Sequence, residues 1–345
     1  MKKKPTKELN VAIIGFGVMG AFCALEAISR GMQVTVFEKG SRNFQSSATY
    51  HAGGMLMPYS ESSIRDDLTL ELLKLSLEEW ESIEWPFIKE TINFDFTTLS
   101  CEKKDRSELL NFKEYFESFT HLNLELIEQN FENLSETNDY YKAQNIEAHL
   151  DPRQMIKRIF EHLAKENSEF LWNSNVTDEE ILNLSEKYNF VFDCRGVGLG
   201  TNNIRPVKGE YLKLKLPGHK VKTCIRHFCK RYPVYVIPRD GDSLYVGATS
   251  IDTPDAEFSL DSLLKLLTGF HKIFPNYLDF KLEEFGVSHR PTTLNGRPYI
   301  KKLKNIYEIN GLSRHGITLA PLLAKSAFLN LENKDVKSPL EKIFC

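Results

Sequence analysis

Three glycines and a glutamate carry the first chemistry that the chain offers. Gly15, Gly17 and Gly20 stand in Val11-Ala-Ile-Ile-Gly-Phe-Gly-Val-Met-Gly20 at the spacing G-x-G-x-x-G. Gly15 can turn the backbone tightly, Gly17 holds no side chain against a pyrophosphate, and Gly20 lets the following helix lie close on the preceding strand. The N–H groups and partial positive charge at the start of that helix complete an anion site. Glu38 closes Val34-Thr-Val-Phe-Glu38, where a carboxylate can accept both hydroxyls of a ribose. Such spacing alone is weak, because glycines are common in turns, but here strand, helix and acid fall in register. The stretch reads as a dinucleotide site rather than a plain strand–turn–helix, and by itself it does not separate FAD from NAD.

Two other runs of small residues suit a backbone that must approach a ligand closely. One is Ala48-Thr-Tyr-His-Ala-Gly-Gly-Met55, with Gly53 and Gly54 beside Met55, too apolar onward to Pro58 for a free surface loop. The other is Cys194-Arg-Gly196, where a buried strand runs into glycines. His51 and His315 read as hydrogen-bonding loop histidines and are given no catalytic role. The 6 cysteines are scattered without a C-x-x-C pair, the pattern of reduced thiols in a cytoplasmic protein with no metal site.

The elements that must position these residues follow from periodicity and punctuation. Met19 to Arg30 is a helix stopped by Gly31, and Leu68 to Ile83 has helical spacing. Asp151-Pro152 caps and starts a helix to about Lys165. Phe170 to Val176, Asn189 to Asp193, Gly209 to Leu216, Glu284 to Arg290 and Ile306 to Asn310 read as strands. Pro233 to Arg239 and Ser243 to Thr249, joined at Asp240-Gly241, form a hairpin. Leu260 to Phe274 is an amphipathic helix, and Gly311 to Gly316 turns into a last helix from Ile317 to Asn330. The stretch from Ile83 to about Glu136 is uninformative, and the charge run 101–106 reads as solvated surface.

At 345 residues the chain suits one large or two interleaved domains. The order predicts an α/β fold, a Rossmann-like dinucleotide domain interleaved with an antiparallel-sheet substrate domain. The first takes residues 1–83, 145–205 and 286–345; the second takes 84–144 and 206–285. A net charge of -3 without a basic excess removes nucleic acid from the expected partners. The basic opening and the apolar run to Leu25 imitate a leader, but the run carries the nucleotide glycines and is too short to span a bilayer.

Several stretches together resemble the D-amino-acid oxidase superfamily of FAD enzymes, and within it the glycine oxidases of thiamine biosynthesis. They are the glycine motif with Glu38, Ala48 to Pro58, Tyr235-Val-Ile-Pro-Arg239, Val246-Gly-Ala-Thr249, His289-Arg-Pro291, Gly296-Arg-Pro298 and Gly311-Leu-Ser-Arg-His-Gly-Ile-Thr-Leu-Ala-Pro321. The likeness covers about Asn10 to Ala324 and is poor between about Ile83 and Asn145. Ser250, Asn295 and Asp193-Cys-Arg-Gly196 depart from the pattern of relatives, the first where the substrate's size is set.

The resemblance implies FAD and the oxidation of a small amino acid or amine to an imine, by hydride transfer to the flavin. Oxygen is then reduced to peroxide, and no catalytic residue is required beyond the flavin. It implies Arg290 as the fork for the substrate carboxylate, against the commoner surface ion pair. Tyr235 either joins it or is a half-buried strand aromatic. Gly316, Ile317 and Thr318 would offer helix N–H groups to the reduced flavin's negative charge, with Gly311 permitting close approach. Arg314 joins that patch or lines the substrate cavity, and Val176 would hold the adenine through its backbone. Other readings are an FAD dehydrogenase with another electron acceptor, the flavin half of a tRNA-modifying demethylase, a nucleotide-binding protein without catalysis, and, from the first motif alone, an NAD dehydrogenase. The resemblance also allows a homo-oligomer.

Overall fold

Val11–Ile14 are apolar without alternation, which suits a strand covered on both faces, and all four side chains are buried. In the computed structural model they lie in β1 (Asn10–Ile14), followed by α1 (Val18–Ser29), β2 (Gln33–Glu38), β3 (Met55–Leu56), α2 (Asp67–Glu81) and α3 (Pro86–Lys89). Next come β4 (Ile92–Glu102), β5 (Phe119–Leu122), β6 (Asn138–Leu150), α4 (Pro152–Lys165), β7 (Glu169–Trp172), α5 (Asp178–Lys187) and β8 (Phe190–Asp193). The chain continues through β9 (Arg205–Lys215), β10 (Ile225–Phe228), β11 (Val234–Arg239), β12 (Ser243–Gly247), β13 (Ile251–Asp252) and α6 (Leu260–Ile273). It ends with β14 (Lys281–Thr292), β15 (Tyr299–Leu303), β16 (Ile306–Asn310), α7 (Gly316–Leu331) and α8 (Ser338–Glu341). The structure describes residues 9–60, 66–107, 119–122, 131, 134–200, 203–229, 231–276, 279–336 and 338–345.

Two sheets organise the molecule. The first has the order β15-β16-β8-β1-β2-β7, parallel throughout except at β15. Its helices share one core, in which α1 (Phe22, Leu25), α2 (Leu72, Trp80), α4 (Ile156, Ile159) and α7 (Leu323, Phe328) interdigitate. The second sheet has the order β13-β9-β12-β11-β10-β4-β6-β3, with β14 also paired to β9 and β5 to β6. Its pairs are antiparallel except for β10 with β4. Leu266, Phe270 and Ile273 of α6 close one face of it.

Four sequence expectations shift. The strand from Phe170 ends at Trp172, so Val176 stands in the loop before α5. The strand around Glu284 to Arg290 extends over Lys281–Thr292 and runs unbroken across residue 286. β6 and β15 arise where neither periodicity nor punctuation signals a strand. In the charge run 101–106, Cys101 is fully buried within β4. Among the described residues, no helix is long and apolar enough to cross a membrane.

Candidate functional site

The glycine turn is built as its spacing demands. Gly15 has φ +92°, and a Cβ there would stand 2.8 Å from the carbonyl oxygen of Cys194 at the end of β8. A Cβ on Gly20 would run into the carbonyl of Gly15, so α1 lies directly on the turn. Val18 N–H donates to Thr49 Oγ1 at 2.7 Å, so the loop after β2 caps α1. Glu38 accepts from Phe16 N–H at 2.6 Å, Gly40 N–H at 2.7 Å and Ser46 Oγ at 3.3 Å. The carboxylate expected to meet ribose hydroxyls thus also fastens the turn to the segment following β2.

One cavity of about 460 Å³ runs from this turn to the second sheet. Gly15, Gly17, Glu38, Ala48, Gly53, Gly54, Met55, Val176, Gly196, Tyr235, Arg290, Arg314, Gly316, Ile317 and Thr318 all line it. Gly20 and Gly311 do not. Gly20 serves the close packing just described. Gly311 has φ +76°, and a Cβ there would meet Thr293 Cγ2 at 2.6 Å, so its glycine is required by the neighbouring loop. At Gly316 an added Cβ would find only ordinary contacts at 3.9 Å, so the protein itself does not require glycine there.

The first-sheet side of the cavity is fixed by polar clamps. The Val176 carbonyl accepts from Arg195 Nη1 at 3.0 Å, and the same guanidinium binds Asp193 and Asp178. Asn310 Nδ2 donates to the Gly196 carbonyl at 2.9 Å, which joins the ends of β16 and β8. α7 starts at the opposite wall. The first N–H groups of a helix have no partner within it, and Ile317 and Thr318 present that end to the cavity. Thr318 Oγ1 donates to the Met55 carbonyl at 3.0 Å, while its own carbonyl accepts from Trp80 Nε1 at 2.9 Å and from Ser76.

At the second sheet, Arg290 on β14 donates from Nη1 to the Thr249 carbonyl at 3.0 Å. A Cβ on Gly209 would fall 2.6 Å from its Cζ, so this glycine makes the guanidinium's berth. Thr249 is held in turn by Glu210, which accepts its hydroxyl at 3.0 Å and the Ser259 N–H at 2.7 Å. Burial pushes the Glu210 pKa up, but the Ser262 hydroxyl, Ser259 N–H and Thr249 outweigh it and hold the carboxylate below its ordinary value. Tyr235 stacks on Tyr245 at 6.1 Å between centroids, and Tyr245 on Tyr211 at 4.7 Å. Tyr245 Oη donates to the His51 carbonyl at 2.8 Å.

Thr49, His51, Arg226 and Tyr245 also line the cavity and were not singled out as site residues from the sequence. Thr49 lies within the small-residue loop Ala48–Met55. Arg226 lies in Cys224-Ile-Arg-His-Phe-Cys229, and its register opposite Tyr235 is a signal only the pairing supplies.

These features suit a dinucleotide. A glycine turn without side chains, a helix start and a carboxylate on β2 face one end of the cavity, and a second helix start with a guanidinium faces the other. A mainly parallel sheet carrying this turn, completed by a mainly antiparallel sheet across the cavity, defines a dinucleotide-binding protein built on two sheets. The chain belongs to the family of FAD dependent oxidoreductases, whose profile it matches over residues 10–327; FAD is accordingly its cofactor. A protein of Rhizobium etli described as the thiamine biosynthesis oxidoreductase ThiO is 26% identical over 92% of this chain and 94% of its own length. Among solved structures, iminodiacetate oxidase from Chelativorans sp. BNC1 superposes with a TM-score of 0.79 at 17% identity, covering 97% of this chain and 98% of the other. Glycine oxidase from Geobacillus kaustophilus gives 0.78 at 21%, covering 94% and 95%. The superfamily expected from the sequence is the family found, and the mixed α/β fold is shared with these structures.

Proposed function

We propose that the chain oxidises a small amino acid or amine, with glycine the simplest case, to its imine, and that it serves thiamine biosynthesis. The observation that carries this reading is the single cavity shared by the glycine turn, the start of α7, Tyr235 and Arg290. The likeness to ThiO along nearly the whole length of both chains supports the same reading. Bound FAD supplies the hydride acceptor, and oxygen takes the electrons away as hydrogen peroxide.

The chain's own residues orient and stabilise. Arg290 offers a planar fork, steadied through Thr249, that can hold a carboxylate by two parallel hydrogen bonds. Tyr235 adds a hydroxyl donor from β11 of the same sheet. The amine enters neutral, having lost its proton to water, so no side-chain base is assigned. The N–H groups at the start of α7 favour negative charge where the ring edge of the cofactor would rest.

The test is anaerobic addition of glycine and a panel of small amino acids and amines to the yellow holoenzyme. Loss of the flavin absorption, followed by peroxide on admitting air, is the expected result. Bleaching without peroxide would assign the electrons to another acceptor. A panel in which nothing bleaches the flavin would overturn the reading.

A further inference from the structure

Successive residues of a strand point to opposite faces of its sheet. On β9, Gly209 lines the cavity beneath the Arg290 guanidinium. Its neighbours Lys208 and Glu210 therefore turn to the other face, where Leu212 and Leu214 share a core with Leu266 of α6. Both charged residues are buried, Lys208 at 3% and Glu210 at 0% exposure. The Glu210 carboxylate accepts from Ser259 N–H at 2.7 Å, from the Ser262 hydroxyl and from Thr249 Oγ1 at 3.0 Å. Lys208 Nζ stands 3.5 Å from it, and also donates to Asp255 at 2.8 Å and to the Glu257 carbonyl at 2.9 Å. Replacing a buried ion pair by apolar residues of similar volume is often neutral or stabilising, so stability alone does not account for this one.

What the buried acid holds is Thr249. The Thr249 N–H donates to the Glu210 carbonyl at 3.1 Å, its hydroxyl oxygen accepts from Glu210 N–H at 2.9 Å, and its hydroxyl donates to the carboxylate at 3.0 Å. The carbonyl of Thr249 is then presented to Arg290 and accepts from Nη1 at 3.0 Å. A Cβ on Gly209 would meet Cζ at 2.6 Å and Nη1 at 2.9 Å, so the guanidinium lies flat against β9. A guanidinium carries several N–H donors in one rigid plane. With its face set by Gly209 and one nitrogen committed to the Thr249 carbonyl, the direction of the remaining edge is fixed.

We propose that Glu210 is the positioning residue of the substrate fork. The inference rests on the reading of Arg290 as partner of the substrate carboxylate, and makes Glu210 act on it through Thr249. By fixing that carbonyl, Glu210 decides which nitrogen of the guanidinium the protein consumes and which edge a carboxylate meets. Glu210, Lys208 and Ser259 do not line the cavity, so the bonds that aim the fork begin behind the sheet, in groups that touch neither substrate nor flavin. Their contribution is to the affinity for a carboxylate. Hydride transfer from a substrate already seated is left as it was.

The test is a double-mutant cycle in the holoenzyme. Its readouts are rapid-mixing anaerobic reduction of the flavin by glycine, and binding of acetate followed in the flavin spectrum. Thr249→Val removes the hydroxyl and keeps the carbonyl and the bulk. It should raise the dissociation constants of glycine and acetate about five- to tenfold, the loss of one hydrogen bond. The limiting rate of reduction should stay within about twofold, and Thr249→Ser, which keeps the hydroxyl, should match wild type as closely. In an Arg290→Lys background Thr249→Val should cost less than about twofold, because its effect passes through the fork. Glu210→Gln should reproduce Thr249→Val. Unchanged dissociation constants in Thr249→Val, or the same loss in both backgrounds, overturn the inference. A loss shared equally by the limiting rate and the FAD content makes Glu210 a support of the sheet and overturns it as well. If acetate binds but no amine reduces the flavin, the amine-oxidation reading fails, while the cycle on acetate still decides the role of Glu210. Wild type that binds no acetate removes the fork, and the inference with it. Should Glu210→Gln not fold, Thr249→Val and Thr249→Ser decide.

Discussion

Arg290 and Glu38 differ in what their side chains must do, and their variants separate the roles. Arg290→Lys keeps the charge but replaces a fork with a point charge, and a lysine cannot span from the Gly209 berth to a carboxylate with two parallel bonds. KM for the amino-acid substrate should rise by about tenfold or more, since roughly 1.5–3 kcal/mol attaches to a hydrogen bond with a charged group; steady-state kinetics at saturating oxygen measures it, and an unchanged KM would remove Arg290 from the site. Glu38→Ala leaves the Phe16 and Gly40 N–H groups without their acceptor. Phe16 N–H is buried and Gly40 N–H partly so, and an unpaired buried donor costs about 1–3 kcal/mol, so the variant should melt lower and purify with less FAD, and full FAD content would count against the assignment. The type and spacing of Gly15, Gly17, Gly20 and Glu38 made this end legible, because the left-handed turn at Gly15 and the close packing of α1 at Gly20 demand glycine. Arg226, Tyr245 and His51 were illegible, because their place depends on strand register over long separations.

The start of α7 is held by another helix, and this contact tests whether its position matters. Trp80 of α2 is fully buried and donates Nε1–H to the Thr318 carbonyl, in the first turn of α7. Pro321 lies within that helix and has no N–H to give its own preceding turn, so contacts from α2 do part of the work of fixing this end. Trp80→Phe keeps most of the ring and removes the donor. It should lower stability by about 1–2 kcal/mol and weaken FAD retention by several-fold, read by thermal unfolding and by flavin released on dilution. Normal retention at reduced stability would show that the helix start is placed by packing alone. The βαβ unit, the β11–β12 hairpin and α7 were legible because hydrophobic period and glycine punctuation agree there. β6 was not, for a physical reason. It buries Tyr140 and Tyr141 in succession, and also Glu147 beside Ala148, so no two-residue alternation survives. Glu147 looks like a surface acid in the sequence, yet it accepts from the N–H groups of Tyr59 and Ser60 and from Thr97 Oγ1 at 2.9, 2.8 and 2.6 Å.

Across the whole molecule, the two sheets are joined beside the cavity by charged and polar contacts, which makes stability depend on pH in a defined way. Arg153 of α4 grips Glu284 of β14, with Nη1 to Oε2 at 2.9 Å, and Tyr211 Oη donates to the same carboxylate at 2.6 Å. Arg153, more than Tyr211, holds the Glu284 pKa down at about 2 against an ordinary 4.5. A depressed carboxylate adds stability that is complete above 4.5 and is lost as pH falls through about 2. The pair is partly exposed, so solvent screening leaves about 1–2 kcal/mol. His149 and His227 act in a higher window. Burial lowers both to about 4 from 6.5, aided by Arg239 at His149 and by Lys272 and Arg226, against Glu102, at His227. Their folded pKa values lie below the unfolded ones, so stability is complete above 6.5 and is lost as pH falls toward 4, by at most about 3 kcal/mol each. Urea unfolding at a series of pH values should therefore show a plateau above about 6.5, a first fall to about 4 and a second toward about 2. Glu284→Gln should flatten the second fall and leave the first, whereas His227→Gln should reduce the first alone. A Glu284→Gln curve parallel to wild type below about 4.5 would mean that the Arg153–Glu284 contact does not hold the sheets together.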